Sequence, residues 1–238
     1  MRRTIFGPEH RLFRETVEHF IATAIEPNHE AWTQAGRVDK AMFRAAGEQG
    51  LLGMAIPEEY GGGGIDDFRY NAILDEAITA SGAAASGLCI TLHNDICIPY
   101  FLSLADPGQR DRWFPGLASG ELMTAIAMTE PDTGSDLAAI STTATLEGDA
   151  YVVNGSKTFI TNGLNADLVI AVVRTDPDPH GGLTLLVIED GMSGFERGRN
   201  LEKIGMHAQD TSELFFNDVR VPVESRLGPE NSGFLQLV

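Results

Sequence analysis

Apolar positions recur every three to four residues through roughly the first 120 residues, and in short solid or alternating runs after that. Leu12, Phe13, Val17, Phe20, Ile21 and Ala24 form one stripe, the period of an amphipathic helix. Pro8 stands where a first helical turn tolerates proline. Asp39 is placed to cap a second helix carrying Met42, Phe43 and Ala46, which Gly50 ends. The Gly61–Gly64 run reads as a loop. Residues 68–81 and 83–104 read as two further helices, the second apolar nearly all round and therefore central. Asp106-Pro107 opens a fifth, with Asp at the N-cap and Pro at the first helical position.

Beyond residue 120 the period changes. Runs at 122–128, 141–146, 151–153, 158–161, 168–174, 183–188 and 214–216 are rich in β-branched or apolar residues. Turn signals separate them: Glu147-Gly-Asp149, Asn154-Gly155, Asn162-Gly163, His180-Gly-Gly182 and Asp190-Gly191. Asn-Gly between two strand-like runs is a strong hairpin signal, and short strands at this spacing predict a small antiparallel barrel or sandwich. The expectation is an α+β chain: an all-α domain over 1–120 and a β domain over 121–230.

Composition bounds this picture without changing it. The 238 residues are 43% hydrophobic and 21% charged, ordinary for a globular chain, and no run approaches the ~20 apolar residues of a membrane helix. The net charge is −17, with 7 basic against 18 acidic side chains after residue 120. That balance argues against nucleic acid, whose phosphates need a positive face. Met1-Arg-Arg resembles the start of a twin-arginine leader, but Pro8, Glu9 and His10 interrupt any apolar segment, so no export signal is read. Cys89 and Cys97, eight apart, match neither a redox nor a zinc pattern and read as small buried hydrophobes in a reducing, cytoplasmic setting.

Several chemistries lack support. Asp66 or Asp67 falls where a Gly-x-Gly-x-x-Gly loop needs its third small residue, and no Gly-Lys-Ser/Thr follows. The six histidines show no metal-ligand spacing, so no metal is expected, and no Gly-x-Ser-x-Gly elbow marks a hydrolase. Two segments remain. Residues 129–136 place hydroxyls and a Gly-Ser pair after a strand end, leaving amides that suit the carbonyl or phosphate oxygens of a planar ligand; a loop that caps itself through Asx and Ser/Thr turns explains the same residues. Phe159-Ile-Thr161 sets an aromatic beside a hydroxyl, either flanking a ring system or forming a plain half-buried strand.

Thr129-Glu-Pro-Asp-Thr-Gly-Ser-Asp136 and Asn154-Gly-Ser-Lys-Thr-Phe-Ile-Thr-Asn-Gly163 resemble the two flavin-cradling signatures of the acyl-CoA dehydrogenase family. The resemblance extends through Gln49-Gly-Leu-Leu-Gly53, Pro57-Glu-Glu-Tyr-Gly-Gly62, Gly198-Arg-Asn-Leu-Glu-Lys-Ile-Gly-Met206 and 208–222, in order along the whole chain, and Ala208-Gln-Asp-Thr211 with Phe159 is most similar to the long-chain subgroup. It implies FAD as cofactor. Ile126, Ala127, Met128, Thr129, Gly134 and Ser135 would lie along one side of the flavin, and Phe159, Ile160 and Thr161 along the other. Ser135 would also touch the CoA arm of an acyl-CoA substrate. Asp132-Thr133 stands where relatives commonly carry Gly-Ala, which narrows that loop.

The implied reaction is α,β-dehydrogenation, with a glutamate removing the α-proton while the β-hydrogen leaves as hydride to the flavin. Electron-transfer flavoprotein is the implied acceptor, and a homotetramer the implied assembly. The resemblance also implies a C-terminal four-helix bundle, of which residues 231–238 would be the start. The catalytic glutamate is expected beyond Val238, and the 238-residue chain is expected to be incomplete and inactive. A flavin- or acyl-CoA-binding module or partner subunit without catalysis, and an acyl-CoA oxidase, are the alternatives.

Overall fold

The computed structural model describes residues 3–238; Arg2 of the double-arginine reading lies outside them. The chain forms two compact units. One comprises residues up to 98 with 114–121 and 202–209, the other 99–113, 122–201 and 210–238.

The first unit is helical. α1 (Pro8–Phe20) starts with Pro8 at its first position and buries Val17 and Phe20. It runs on as a π-helical turn through Ile25. α2 (His29–Ala35) is a short helix that the apolar period did not announce, because none of its residues is buried. α3 (Lys40–Glu48) is capped as expected, the Asp39 carboxylate accepting from the Ala41 amide at 2.7 Å, and buries Met42, Phe43 and Ala46. α4 covers Arg69–Ala80.

The expected helix over 83–104 is broken into α5 (Ala84–Thr91), a π-helical stretch at Leu92–Cys97 and α6 (Ile98–Leu104). Two buried polar side chains on that stretch have fixed partners. Asn94 Oδ1 accepts from Gly53 N at 2.9 Å and its Nδ2 donates to Leu51 O at 2.7 Å. The His93 ring lies 3.0 Å from Leu117 O and edge-on to Phe43. α7 (Pro107–Ser119) opens on Asp106, whose carboxylate accepts from Gln109 N.

The second unit is built on an eight-stranded sheet, in the order β6-β7-β3-β2-β4-β5-β8 with β1 beside β4. The strands are β1 (Thr124–Ala127), β2 (Thr143–Glu147), β3 (Ala150–Thr161), β4 (Leu168–Arg174), β5 (Leu183–Glu189), β6 (Phe195–Asn200), β7 (Thr211–Pro222) and β8 (Arg226–Leu227), followed by α8 (Gly233–Leu237). Most pairings are antiparallel, while β1–β4 and the single β2–β4 contact are parallel. Tyr151, Val153, Ile160, Val169, Val173 and Leu186 belong to the core. In the same unit the Gln109 amide donates to Glu224 O and Arg226 O, both at 2.8 Å.

One hairpin expectation fails. Asn154-Gly155 is no turn: β3 runs straight through it, joining the two runs read as separate strands. The register with β7 slips there instead. Gly155 has φ +148°, and a Cβ on it would sit 2.8 Å from Thr142 Cα. The Asn154 side chain exchanges two 2.9 Å hydrogen bonds with Asp218. Here the bulge uses the glycine at a positive φ and the Asn154 side chain across to Asp218, so the dipeptide carries the same residues for a different purpose. The β2–β3 hairpin at Gly148-Asp149 is present, with Glu147 opposite Ala150 and Gly148 at φ +66°. β6 went unread because charged and glycine positions interrupt it, and β8 because it spans only Arg226 and Leu227. Among the described residues no helix is long and apolar enough to cross a membrane.

Candidate functional site

β5 runs along the whole of one edge of β4. The other edge is shared by β1, over Leu168–Ala171, and β2, which meets it only at Arg174. The sheet forks there, and residues 128–142 fill the fork. This loop caps itself only in part. Glu130 and Thr133 exchange backbone hydrogen bonds at 2.8 and 3.2 Å, and the Thr133 hydroxyl donates to Asp136 O at 2.6 Å. The Arg174 guanidinium fixes the far end by donating to Ala138 O and Ile140 O. Between these anchors, the amides of Gly134 and Ser135 and the hydroxyls of Thr129 and Ser135 have no hydrogen-bond partner among the described residues, and Gly134 and Ser135 are exposed.

Alternation along β1 sorts its residues. Ala125 and Ala127 belong to the core, so Ile126 and Met128 face the opposite side. On β3 the same division puts Ile160 into the core. Phe159 has φ +58° and is 66% exposed. The β3–β7 register slips between Lys157 and Ile160, so the residue sits on a bulge, a feature that re-aims a side chain. A bulky residue in the left-handed region costs about 1–2 kcal/mol, and an exposed phenyl ring recovers little of that. The strained segment is held against the loop by Thr158 N, which donates to Thr129 O at 2.9 Å. Asn162, also left-handed at φ +63°, is buried and donates to Thr124 O at 3.0 Å.

Beneath the two segments lies an ion pair. Lys157 and Glu130 are 0% and 4% exposed, with Nζ 2.9 Å from Oε1. Lys157 Nζ also donates to Met128 O at 3.0 Å. Glu130 accepts from Ser141 N at 2.8 Å, Ser141 Oγ at 2.7 Å and Thr142 N at 2.9 Å. Burial alone would raise the Glu130 carboxyl, but the Lys157 charge and these donors outweigh it and hold the group down at about 2. Burial lowers Lys157, and Glu130 offsets only part of that.

Arg197 and Arg199 on β6 each have an acidic partner. Arg197 donates to Gly163 O at 3.0 Å, Ala166 O at 2.7 Å and Asp190 at 2.6 Å. Arg199 lies 3.5 Å from Glu213. Neither the Phe159 bulge nor the Lys157–Glu130 pair was read from the sequence. Lys157 stands in a polar-looking run, and only its burial reveals its role.

Comparison with known proteins gives the family context. Residues 7–121 match the family described as "Acyl-CoA dehydrogenase, N-terminal domain", and residues 125–219 match "Acyl-CoA dehydrogenase, middle domain". The chain is 44% identical over 239 residues to the "Long-chain specific acyl-CoA dehydrogenase, mitochondrial" of Rattus norvegicus, covering 99% of this chain and 55% of that protein. The crystal structure of acyl-CoA dehydrogenase from Geobacillus kaustophilus superposes with a TM-score of 0.95 at 45% identity, covering 99% of this chain and 62% of that one. An acyl-CoA dehydrogenase of Bacillus anthracis solved in complex with FAD gives a TM-score of 0.90 at 31% identity, covering 99% of this chain and 40% of that one. The chain therefore spans about half the length of the curated relatives it matches.

Proposed function

This chain belongs to the acyl-CoA dehydrogenase family, and from that premise we propose that it forms the flavin-cradling part of an FAD-dependent enzyme that dehydrogenates acyl-CoA thioesters, of long-chain type, to trans-2-enoyl-CoA in fatty-acid β-oxidation. The observation that carries the reading is Phe159, an exposed aromatic kept in a strained conformation beside a loop with unpaired donors. Strain of this kind persists where the surroundings over-determine it, and it clusters at ligand sites.

The residues present fit FAD. A tricyclic ring with carbonyl oxygens needs a flat apolar wall and hydrogen-bond donors. Phe159 and Thr161 offer the wall; the amides of Gly134 and Ser135 and the hydroxyls of Thr129 and Ser135 offer the donors. Ile126 and Met128 add apolar contact. Ala127 and Ile160 contribute backbone, since their side chains are in the core. Ser135 also serves the CoA arm of the substrate. Bound FAD supplies the electron-accepting chemistry, while these residues bind it, orient it and keep water from one side.

Glu130 is not the α-proton base. A carboxylate has about four acceptor sites, and four donors occupy them here. The reading assigns that step to a glutamate outside residues 1–238 and expects the 238-residue chain to lack turnover by itself. Electron-transfer flavoprotein as acceptor, a homotetrameric assembly and a cytoplasmic setting complete the proposal. Gel filtration with light scattering and cell fractionation check the last two, and recovery of the protein in an organelle would remove the cytoplasmic assignment.

The direct test is an absorbance spectrum after FAD is added and excess removed. A retained flavin spectrum supports a cradle that holds cofactor within this chain, and its absence removes that claim. Full turnover of a long-chain acyl-CoA by the homogeneous chain, with electron-transfer flavoprotein as acceptor, would overturn the assignment of the base.

A further inference from the structure

A buried ion pair calls for a reason. Removing two charges from water costs several kcal/mol per ion, and replacing such a pair with apolar residues is often neutral or stabilising. Stability alone is therefore a weak explanation for Lys157 and Glu130. Their connections suggest another. Met128 O, which Lys157 Nζ holds, is the last carbonyl before Thr129. Glu130 is the residue after Thr129, and its carboxylate reaches forward to Ser141 and Thr142, where β2 begins. Lys157 itself is two residues before Phe159. One ion pair thus joins the end of β1, the loop, the start of β2 and the strand entering the strained bulge. Other hydrogen bonds cross the same junction, Thr158 N to Thr129 O at 2.9 Å and Thr142 Oγ1 to Ser156 O at 3.4 Å.

We propose that Lys157 and Glu130 are positioning residues that set the spacing between the two walls of the cradle, Met128–Ser135 on one side and Phe159–Thr161 on the other. The inference rests on the flavin reading for its purpose, but not for its physical content. The pair touches neither wall's exposed face. It acts through Met128, Ser141, Thr142 and the bulge, and it keeps Phe159 in its left-handed conformation when no ligand contact does so. An apolar pair of similar volume would fill the space but remove the side-chain bonds to Met128, Ser141 and Thr142, leaving fewer cross-links at the fork.

The decisive variant is the double substitution Glu130→Leu with Lys157→Met in the full chain. It removes both charges together and so avoids stranding one of them. Three quantities are read: thermal midpoint, amide hydrogen exchange along 129–142 and 157–162, and retention of FAD with the fine structure of its visible absorption band. The expected result is a midpoint close to wild type, exchange at Ser141, Thr142 and Thr158 faster by about tenfold or more, and FAD binding weaker by about tenfold or more, in line with the sensitivity of bound geometry to ångström displacements.

Wild-type exchange and wild-type FAD affinity in a folded double variant would overturn the proposal and leave the flavin reading intact. If the wild type itself retains no FAD, the flavin reading loses its support, and amide exchange still decides whether the pair fixes the loops. Should the double variant not fold, Ser141→Ala carries the test. It removes one of Glu130's four donors at an exposed residue, and the same amides are expected to exchange two- to fivefold faster at an unchanged midpoint. Unchanged exchange in that variant would count against the proposal.

Discussion

Phe159 and Ile160 are neighbours with opposite duties, and substituting each in turn separates ligand binding from stability. Phe159→Gly relieves the left-handed strain, worth about 1–2 kcal/mol. Against this stand about 0.5–1 kcal/mol of added chain entropy in the unfolded state and the loss of the one-third of the ring that is buried, about 1–2 kcal/mol from the usual area coefficient. These contributions nearly cancel, so the unfolding free energy is expected to stay within about 1 kcal/mol of wild type. FAD loses an aromatic wall worth about 1–3 kcal/mol in stacking, equivalent to a five- to 150-fold weaker affinity. Ile160→Ala, by contrast, empties a position 2% exposed in the core and is expected to cost about 2–5 kcal/mol. Urea denaturation followed by fluorescence gives the stabilities, and flavin titration gives the affinities. A Phe159→Gly protein destabilised by more than about 3 kcal/mol with FAD binding unchanged would refute the reasoning, because the ring would then be a core element rather than a ligand wall.

Three further expectations follow from individual contacts. Gly155→Ala drives a methyl into the Thr142 backbone at a φ of +148° and should cost about 2–4 kcal/mol, measured by denaturant midpoint; a loss below about 0.5 kcal/mol would show that the bulge rearranges freely. His93 is held neutral by burial, its pKa lowered to about 4 despite the opposing contact with Leu117 O. The unfolded state therefore takes up the proton first as pH falls. Stability should be full above about 6.5, decline by up to ~3 kcal/mol towards pH 4, and lose that slope in His93→Gln; a slope surviving in the variant removes the assignment. Glu130 has a depressed pKa, so its contribution is present above the ordinary carboxylate value near 4.5 and is lost as pH falls to about 2. Glu130→Gln should flatten that acid limb in a pH series of thermal midpoints, and an identical limb would argue that another carboxylate governs it.

The helical part was legible because its burial follows the 3.6-residue period. Of the stripe, Val17, Phe20 and Ile21 are buried, while Leu12 is 65% exposed; the trio Met42, Phe43 and Ala46 is buried, and the Asp39 cap is a local bond between residues two apart. What escaped is what depends on distant partners. The 83–104 segment is apolar on every side, so its period could not show that Asn94 and His93 would be tied to Leu51, Gly53 and Leu117. The parallel β1–β4 pairing joins residues about forty apart, and no local pattern distinguishes it from an antiparallel neighbour.

The cradle divides along the same line. Its residue types were visible: hydroxyls and a Gly-Ser pair in one segment, an aromatic in the other. Its geometry was not, because Asn154-Gly155 carries identical information for a hairpin and for a bulge, and only the Asp218 and Thr142 contacts across the sheet select the bulge. The same holds for Phe159. In sequence it is an ordinary strand residue, and regular alternation would turn it to the face opposite Ile160. Its left-handed φ goes with the register slip beside it, and it is held there because Thr158 is bonded to Thr129 and Lys157 to Met128 and Glu130. Strain at one residue is thus sustained by polar bonds at the two residues before it. The buried third of the ring roughly offsets the strain for folding, so on the proposed flavin reading the exposed two-thirds of the ring would be what a flat ligand covers.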